Sequence, residues 1–286
     1  MTELVCYKVM PRWTAETLPE TFKRKHNTKV GTWGKLTVFK GKLKFVEMTE
    51  DDQVTAEHIF EAGDAIPFVE PQAWHRVEVL TDDLECQLAF YCEEKDYFAK
   101  KYNLTPTHSE VVEAVQTIEP CKVLDLGCGQ GRNSLFLTRR GFDVTSVDRN
   151  ELSLEMLQSM AEAEDFDFPI GLYDINEAAL TQNYDWIIST VVMMFLDRER
   201  IPAIIANMQE HTNVGGYNLI VCAMDTEAYP CPMPFSFTFK EGELKEYYKD
   251  WELVKYNENT GELHKTDIHG NRLKLQFATM LARKVK

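Results

Sequence analysis

Residues 123–133 read VLDLGCGQGRN, so three glycines, at 127, 129 and 131, follow directly on an apolar run. Glycine this dense gives up side chains where a backbone must bend tightly or come very close to something else. The run KVLDL has the length and composition of a strand, and RNSLFLTRRG reads as a helix closed by Gly141. A strand, a tight glycine turn and a helix start together aim backbone N–H groups and the positive end of a helix dipole at a ligand. A nucleotide-like molecule suits such a turn best.

From residue 121 onward strand-like and helix-like segments alternate, through VTSVD, SLEMLQSMAEAED, IGLYDI, YDWIISTVVMMF, IPAIIANMQEHT and GGYNLIVCAM. Alternation of this kind predicts a parallel sheet with helices on both faces. Upstream the pattern differs. Residues 30–92 carry short apolar stretches punctuated by Gly, Pro and Asp, which predicts an all-β module, and FKGKLKF suggests a hairpin at Gly41 between Leu36-Thr37-Val38 and Leu43-Lys44-Phe45. After Cys92, Thr105 followed by Pro106 reads as an N-cap and first helical position, with Val111, Val112 and Val115 as the apolar stripe. The change of periodicity divides the chain into 1–92 and 93–286.

Composition narrows the partners. The chain has 286 residues and a net charge of -15, so phosphate backbones and anionic lipid are poor partners. The N-terminus lacks a signal-peptide pattern, and no apolar stretch approaches the roughly 18 residues of a membrane span, so a cytoplasmic protein is expected. Seven cysteines include no CxxC pair, which points to reduced, buried thiols, Cys222 and Cys231 among them.

The spacing of the loop separates two nucleotide ligands. A dinucleotide fingerprint is G-x-G-x-x-G or A, whereas here Arg132 stands at the sixth position. Asp125 places a negative charge where a pyrophosphate would sit, but it suits the ammonium of an amino acid. S-adenosylmethionine is therefore the expected cofactor. Asp148, about 20 residues on at the end of VTSVD, can accept from a ribose diol. Asp174 in GLYDI can receive an adenine amino group, with Ile175 against the ring.

The stretches VLDLGCGQGRNSLFL, VTSVDRN and YDWIISTVVMMFL resemble class I S-adenosylmethionine-dependent methyltransferases over about residues 93–286. KYNLTPTHSEV, GGYNLIVCAMDTEAYPCP, FSFTFKEGELKEYY and GELHKTDIHGNRLKLQFATMLARK resemble, more narrowly, the TehB family of tellurite-resistance methyltransferases. The resemblance implies an α/β fold, a Rossmann-like class I methyltransferase sheet with flanking helices, and methylation of tellurite or selenium oxyanions. By the family's pattern Gly127, Gly129, Asp148, Arg149, Asp174, Ile175 and Thr190 face the cofactor, Arg132 and Asn133 open the helix after the loop, and Tyr97 covers the methionine carboxylate.

For the acceptor, the segment 240–286 is the one net basic part, with 10 basic and 8 acidic residues. In HKTDIHGNRLKL, Gly270-Asn271 suggests a turn, and His264, Lys265 and Arg272 are the expected catalytic set, Arg272 binding oxygens and His264 orienting the anion. His269 is expected to be exposed, and His108 to cap a helix, pack, or point to the cofactor. VVMMFL, residues 191–196, is expected to be core, with an apolar wall as the alternative. Another small acceptor, such as a thiol or carboxylate, stays open, as does a noncatalytic nucleotide-binding sensor.

Residues 1–92 resemble a cupin-like barrel fused to some tellurite-resistance methyltransferases, with GDAIPFVEPQAWHRV like the second cupin motif. The earlier His-x-His pair is missing, so no metal is expected, although His26, His58 and His75 could meet in space. A structural, homodimer-forming or ligand-sensing role is the expectation for this module.

Overall fold

The computed structural model describes residues 3–286, without Asp267 and His269 and without the side chains of Leu263, His264 and Lys265. Two compact units result, residues 1–106 and 107–286. The first holds β1 (Leu4–Val9), β2 (Trp13–Thr14), a short helix α1 (Glu20–Lys23), β3 (Trp33–Lys40), β4 (Lys42–Met48), β5 (Val54–Glu61), β6 (Trp74–Val79), β7 (Glu85–Glu93) and α2 (Tyr97–Tyr102). Its strands form two antiparallel sheets. One has β7 pairing with β1, β2 and β3, and the other has β4 between β5 and β6. Inward residues of both sheets, among them Leu36, Val38, Leu43, Phe45, Val77 and Cys86, make one core.

The expected hairpin at Gly41 is not a hairpin. The strands β3 and β4 on either side of it belong to different sheets, so the chain turns a corner there instead of folding back. Gly41 has φ +71°, and a Cβ on it would lie 2.8 Å from the Leu84 backbone, so the corner is pressed against the neighbouring chain. A Gly between two alternating runs looks the same in sequence whether the strands pair or part.

The second unit holds α3 (Ser109–Ala114), β8 (Lys122–Leu126), α4 (Arg132–Arg139), β9 (Asp143–Asp148), α5 (Glu151–Ala163), β10 (Ile170–Leu172), β11 (Tyr184–Thr190), α6 (Ile201–Glu210), β12 (Thr212–Ala223), α7 (Glu243–Tyr247), β13 (Glu252–Asn257), β14 (Thr260–Thr266) and β15 (Arg272–Arg283). The sheet order is β10-β9-β8-β11-β12-β15-β13, with β14 paired to β15. The strands β10 to β12 are parallel, but β15 runs antiparallel to β12, β13 and β14, so the wholly parallel sheet read from the alternation becomes mixed at one edge. Only five residues separate the end of β14 from the start of β15, and so short a connection permits only antiparallel pairing. Gly270, in the turn between them, has φ +82°.

Alternating side chains put this sheet between two cores. Leu124, Leu126, Ile187 and Ile220 pack on one face, and Val123, Trp186, Ile188 and Leu219 on the other. Burying each such side chain contributes about 2 kcal/mol. That packing holds the carboxyl ends of β8, β9 and β11 rigid, and ligands bind α/β sheets at this edge where strand order reverses. Here the reversal falls at β8, between β9 and β11.

One helix start differs from expectation. α3 begins at Ser109, capped by His108, whose Nδ1 accepts from the Glu110 N–H at 3.2 Å, and not at Thr105. An imidazole two residues before a free N–H meets the same need as a hydroxyl, and sequence patterns favour the commoner cap.

Candidate active site

The three glycines have φ of +82°, +54° and +80°, a region that only glycine enters without strain. Their excluded side chains have different reasons. A Cβ on Gly127 would fall 2.5 Å from Val192 Cγ1, and one on Gly131 would fall 2.1 Å from Leu157 Cδ1 of α5. The protein's own packing forbids them. A Cβ on Gly129 meets nothing within 4 Å, because that position opens onto a groove.

The groove encloses about 300 Å³ and is lined by Gly127, Gly129, Asp148, Arg149, Asn150, Tyr173, Ile175, Val191, Val192, Phe195 and Leu196. Asp148 Oδ2 accepts the Gly129 N–H at 2.8 Å and Oδ1 accepts the Asn150 N–H at 2.9 Å, so loop and carboxylate hold each other in place. Each oxygen retains lone-pair capacity for a diol. Ile175, Val192, Phe195 and Leu196 offer flat apolar walls for a purine ring. A polar carboxylate end, an apolar slot and a bare peptide at Gly129 fit the nucleoside of S-adenosylmethionine.

Behind the groove lies the support. Asp125 is 2% exposed and accepts the Ser134 hydroxyl at 2.6 Å, and burial raises its carboxyl pKa to about 6. Asn133 and Thr190, both buried, are joined by a 3.0 Å bond from Nδ2 to Oγ1, and Asn133 Oδ1 accepts the His108 N–H. Asp174 caps the turn 175–177 by accepting the Asn176 N–H at 3.0 Å, and its neighbours Tyr173 and Ile175 reach the groove in its place. Tyr97 is buried in the first unit, where the Lys101 ammonium donates to its hydroxyl at 2.9 Å.

A second cavity, about 530 Å³, is lined by His108, Ser109, Glu110, Arg132, Val191, Val221, Lys255, Asn257, Asn259, Thr260, Gly261, Glu262, Phe277 and Thr279. Val191 belongs to both spaces and has φ +62°, a strained conformation for a β-branched residue. Arg132 opens α4 at the edge of this cavity, and burial draws its pKa down while the Asp125 charge opposes that shift. Burial also acts to lower the pKa of Lys255, but bonds to Glu110 at 2.6 Å and Glu113 at 2.7 Å outweigh it and leave the value raised. Because His108 Nδ1 accepts a hydrogen bond, the proton of the neutral ring sits on Nε2, which makes that edge a donor.

Of the expected acceptor-site residues, Arg272 is exposed, outside the described lining of both cavities, with its guanidinium 4.0 Å from Glu262. His264 and Lys265 lie on β14, their side chains outside the described residues, as is His269. VVMMFL divides: Met193 and Met194 are wholly buried core, whereas Val191, Val192, Phe195 and Leu196 line the groove. Cys222 is buried, and burial pushes its thiol pKa far up, so it is inert packing. Sequence reasoning missed Tyr173, Lys255 and Asn257, which only the sheet order brings to the site.

A sheet that reverses at β8, a glycine turn beneath a carboxylate at the end of β9 and an apolar slot beside it define a class I S-adenosylmethionine-dependent methyltransferase. The model of the family described as tellurite resistance protein TehB matches residues 90–281, and that of the TehB-like domain matches residues 8–88. The chain belongs to the TehB family. It is 67% identical over 282 residues to the probable S-adenosyl-L-methionine-dependent methyltransferase TehB of Haemophilus influenzae, covering 99% of each chain. The crystal structure of TehB from Haemophilus influenzae superposes with a TM-score of 0.97 at 67% identity, again over 99% of each. Hemagglutinin 1 of Eikenella corrodens is 54% identical over 238 residues, 83% of this chain and 79% of that one. Among the described residues no helix is long and apolar enough to cross a membrane.

Proposed function

We propose that the methyl acceptor is tellurite, or a selenium oxyanion of the same shape, held in the cavity that adjoins the cofactor groove at Val191. The observation that carries this reading is a guanidinium at the border: Arg132 follows the glycine loop directly and opens into the second cavity. The His108 Nε2–H donor and the Lys255 ammonium line the same space. Guanidinium and imidazole N–H groups are the donors that a small oxyanion needs. The reading also assigns Arg272, with His264 and Lys265, to the anion from the side of the β14–β15 hairpin. The tellurite resistance in the family's description supports the same acceptor.

When bound, S-adenosylmethionine supplies an electrophilic methyl group: the acceptor's lone pair forms the new bond to carbon, and the C–S electron pair stays on sulfur in S-adenosylhomocysteine. Tellurium in tellurite already carries its lone pair, so the chain needs no general base to unmask a nucleophile. Its work is placement. Arg132 and His108 fix the oxygens, while Val191, Val221 and Phe277 keep water from the approach. Holding two reactants in line can lower a barrier by several kcal/mol.

The test is turnover by the full-length protein with S-adenosylmethionine and tellurite. S-adenosylhomocysteine that accumulates only when tellurite is present, together with methylated tellurium detected by mass spectrometry, is the expected result. Cofactor binding without tellurite-dependent turnover would refute the acceptor.

A further inference from the structure

Between the two sheets of the first unit lies a second kind of space, far from methyl-transfer chemistry in character. It encloses about 480 Å³ and is walled by Trp13, Phe22, Leu36, Phe45 and Leu88 among others. That volume is in the range of small-molecule sites, roughly 300–1,000 Å³. Polar side chains, among them Lys8, Asn27, Thr28, Lys29 and Thr32, share the lining, and two imidazoles meet within it. The rings of His26 and His75 stand 4.2 Å apart between centroids, and their backbones exchange two hydrogen bonds of 2.9 Å. His75 is 7% exposed and stacks on Phe45 at 4.8 Å.

The chemistry of these rings follows from their backbone partners. His26 Nδ1 lies 2.9 Å from the Arg24 carbonyl oxygen, and His75 Nδ1 lies 2.8 Å from that of Ala73. A carbonyl oxygen only accepts, so each Nδ1 carries the hydrogen. Burial lowers the pKa of both rings, so they are neutral, and in a neutral imidazole with Nδ1–H the Nε2 atom is a bare acceptor. Neither Nε2 has a hydrogen-bond partner among the described residues, and two acceptors cannot satisfy each other. Both rings line the cavity, so each Nε2 is an acceptor open to a donor on a molecule held there. Among the described residues no cluster of three or more His, Cys, Asp or Glu could hold a metal ion there.

We propose that this cavity is a binding site for a small neutral aromatic molecule bearing one O–H or N–H donor, its ring among Phe22, Phe45 and Trp13 and its donor on Nε2 of the His26–His75 pair. The contrast with His108 is direct, since that ring is capped through Nδ1 and offers a donor suited to an anion, while this pair offers acceptors suited to an uncharged donor. The site is independent of the acceptor reading for the second unit.

The probe is 2-naphthol, titrated into the full-length protein, with naphthalene as the same ring without the donor. We expect saturable binding at one 2-naphthol per chain, about tenfold tighter than naphthalene, with contacts to the Phe22 and Phe45 ring protons seen as intermolecular NMR effects in the wild-type protein. His75→Phe, checked for a native melting transition, should bring the two affinities together. Absence of 2-naphthol binding, equal affinity for both compounds in the wild-type protein, or contacts confined to other residues would each overturn the proposal. The wild-type comparison stands even where the variant does not fold.

Discussion

The carboxylate of Asp148, at the end of β9, accepts the backbone N–H of Gly129 at 2.8 Å, so the acid expected to hold a ribose also holds the loop that faces it. Asp148→Ala therefore removes two things at once. We expect the dissociation constant for S-adenosylhomocysteine to rise by about 30-fold or more, equivalent to at least 2 kcal/mol, while the protein stays folded. Calorimetry with S-adenosylhomocysteine measures it, and an unchanged affinity would contradict the role.

The glycines separate by what excludes their side chains. Gly129→Ala opens onto the groove, so it should leave most of the fold intact and weaken cofactor affinity. Gly131→Ala forces a methyl to within 2.1 Å of Leu157 Cδ1 at φ +80°, so it should lower stability by several kcal/mol. Leu157→Ala combined with it should recover part of that loss. Thermal melting and calorimetry on the three variants distinguish packing from ligand clearance.

The acceptor-side cations divide by burial. Arg132→Met should lower kcat/KM for tellurite by about 100-fold, because it removes a guanidinium from a buried border position. Arg272 is exposed, so Arg272→Ala should spare cofactor affinity and lower turnover only several-fold. Loss of S-adenosylhomocysteine binding in Arg272→Ala would contradict this division.

Stability should depend on pH through His75. Burial lowers its pKa from 6.5 to about 4, so above pH 6.5 both folded and unfolded forms are neutral and the full stability is present. Between pH 6.5 and about 4 the unfolded chain takes up the proton first, and stability falls by about 3 kcal/mol at most. Denaturant titrations of the wild-type protein and His75→Phe across that window check it. The variant should lack part of the slope, whatever its absolute stability.

Much of the second unit was legible because its signals are local. The glycine turn, the helix from Arg132, and the acids at the ends of β9 and after β10 each follow from a few adjacent residues. What stayed hidden is tertiary. Nothing near Lys255 in sequence says that β13 lies beyond β15, where its ammonium meets Glu110. The corner at Gly41 has the composition of a hairpin, and only the separate partners of β3 and β4 tell them apart. VVMMFL held both answers, since the chain leaves β11 in a tight helical turn that points Met193 and Met194 into the core and leaves Val191, Val192, Phe195 and Leu196 on the groove, and a run of six apolar residues looks the same either way.

The most direct measurement is a crystal of the full chain grown with S-adenosylhomocysteine and tellurite, with data collected at a wavelength where tellurium scatters anomalously. The account predicts the nucleoside between Asp148 and Ile175 and a tellurium peak on the Arg132 and His108 side of Val191. A tellurium peak remote from that cavity, with the nucleoside in place, would contradict the account.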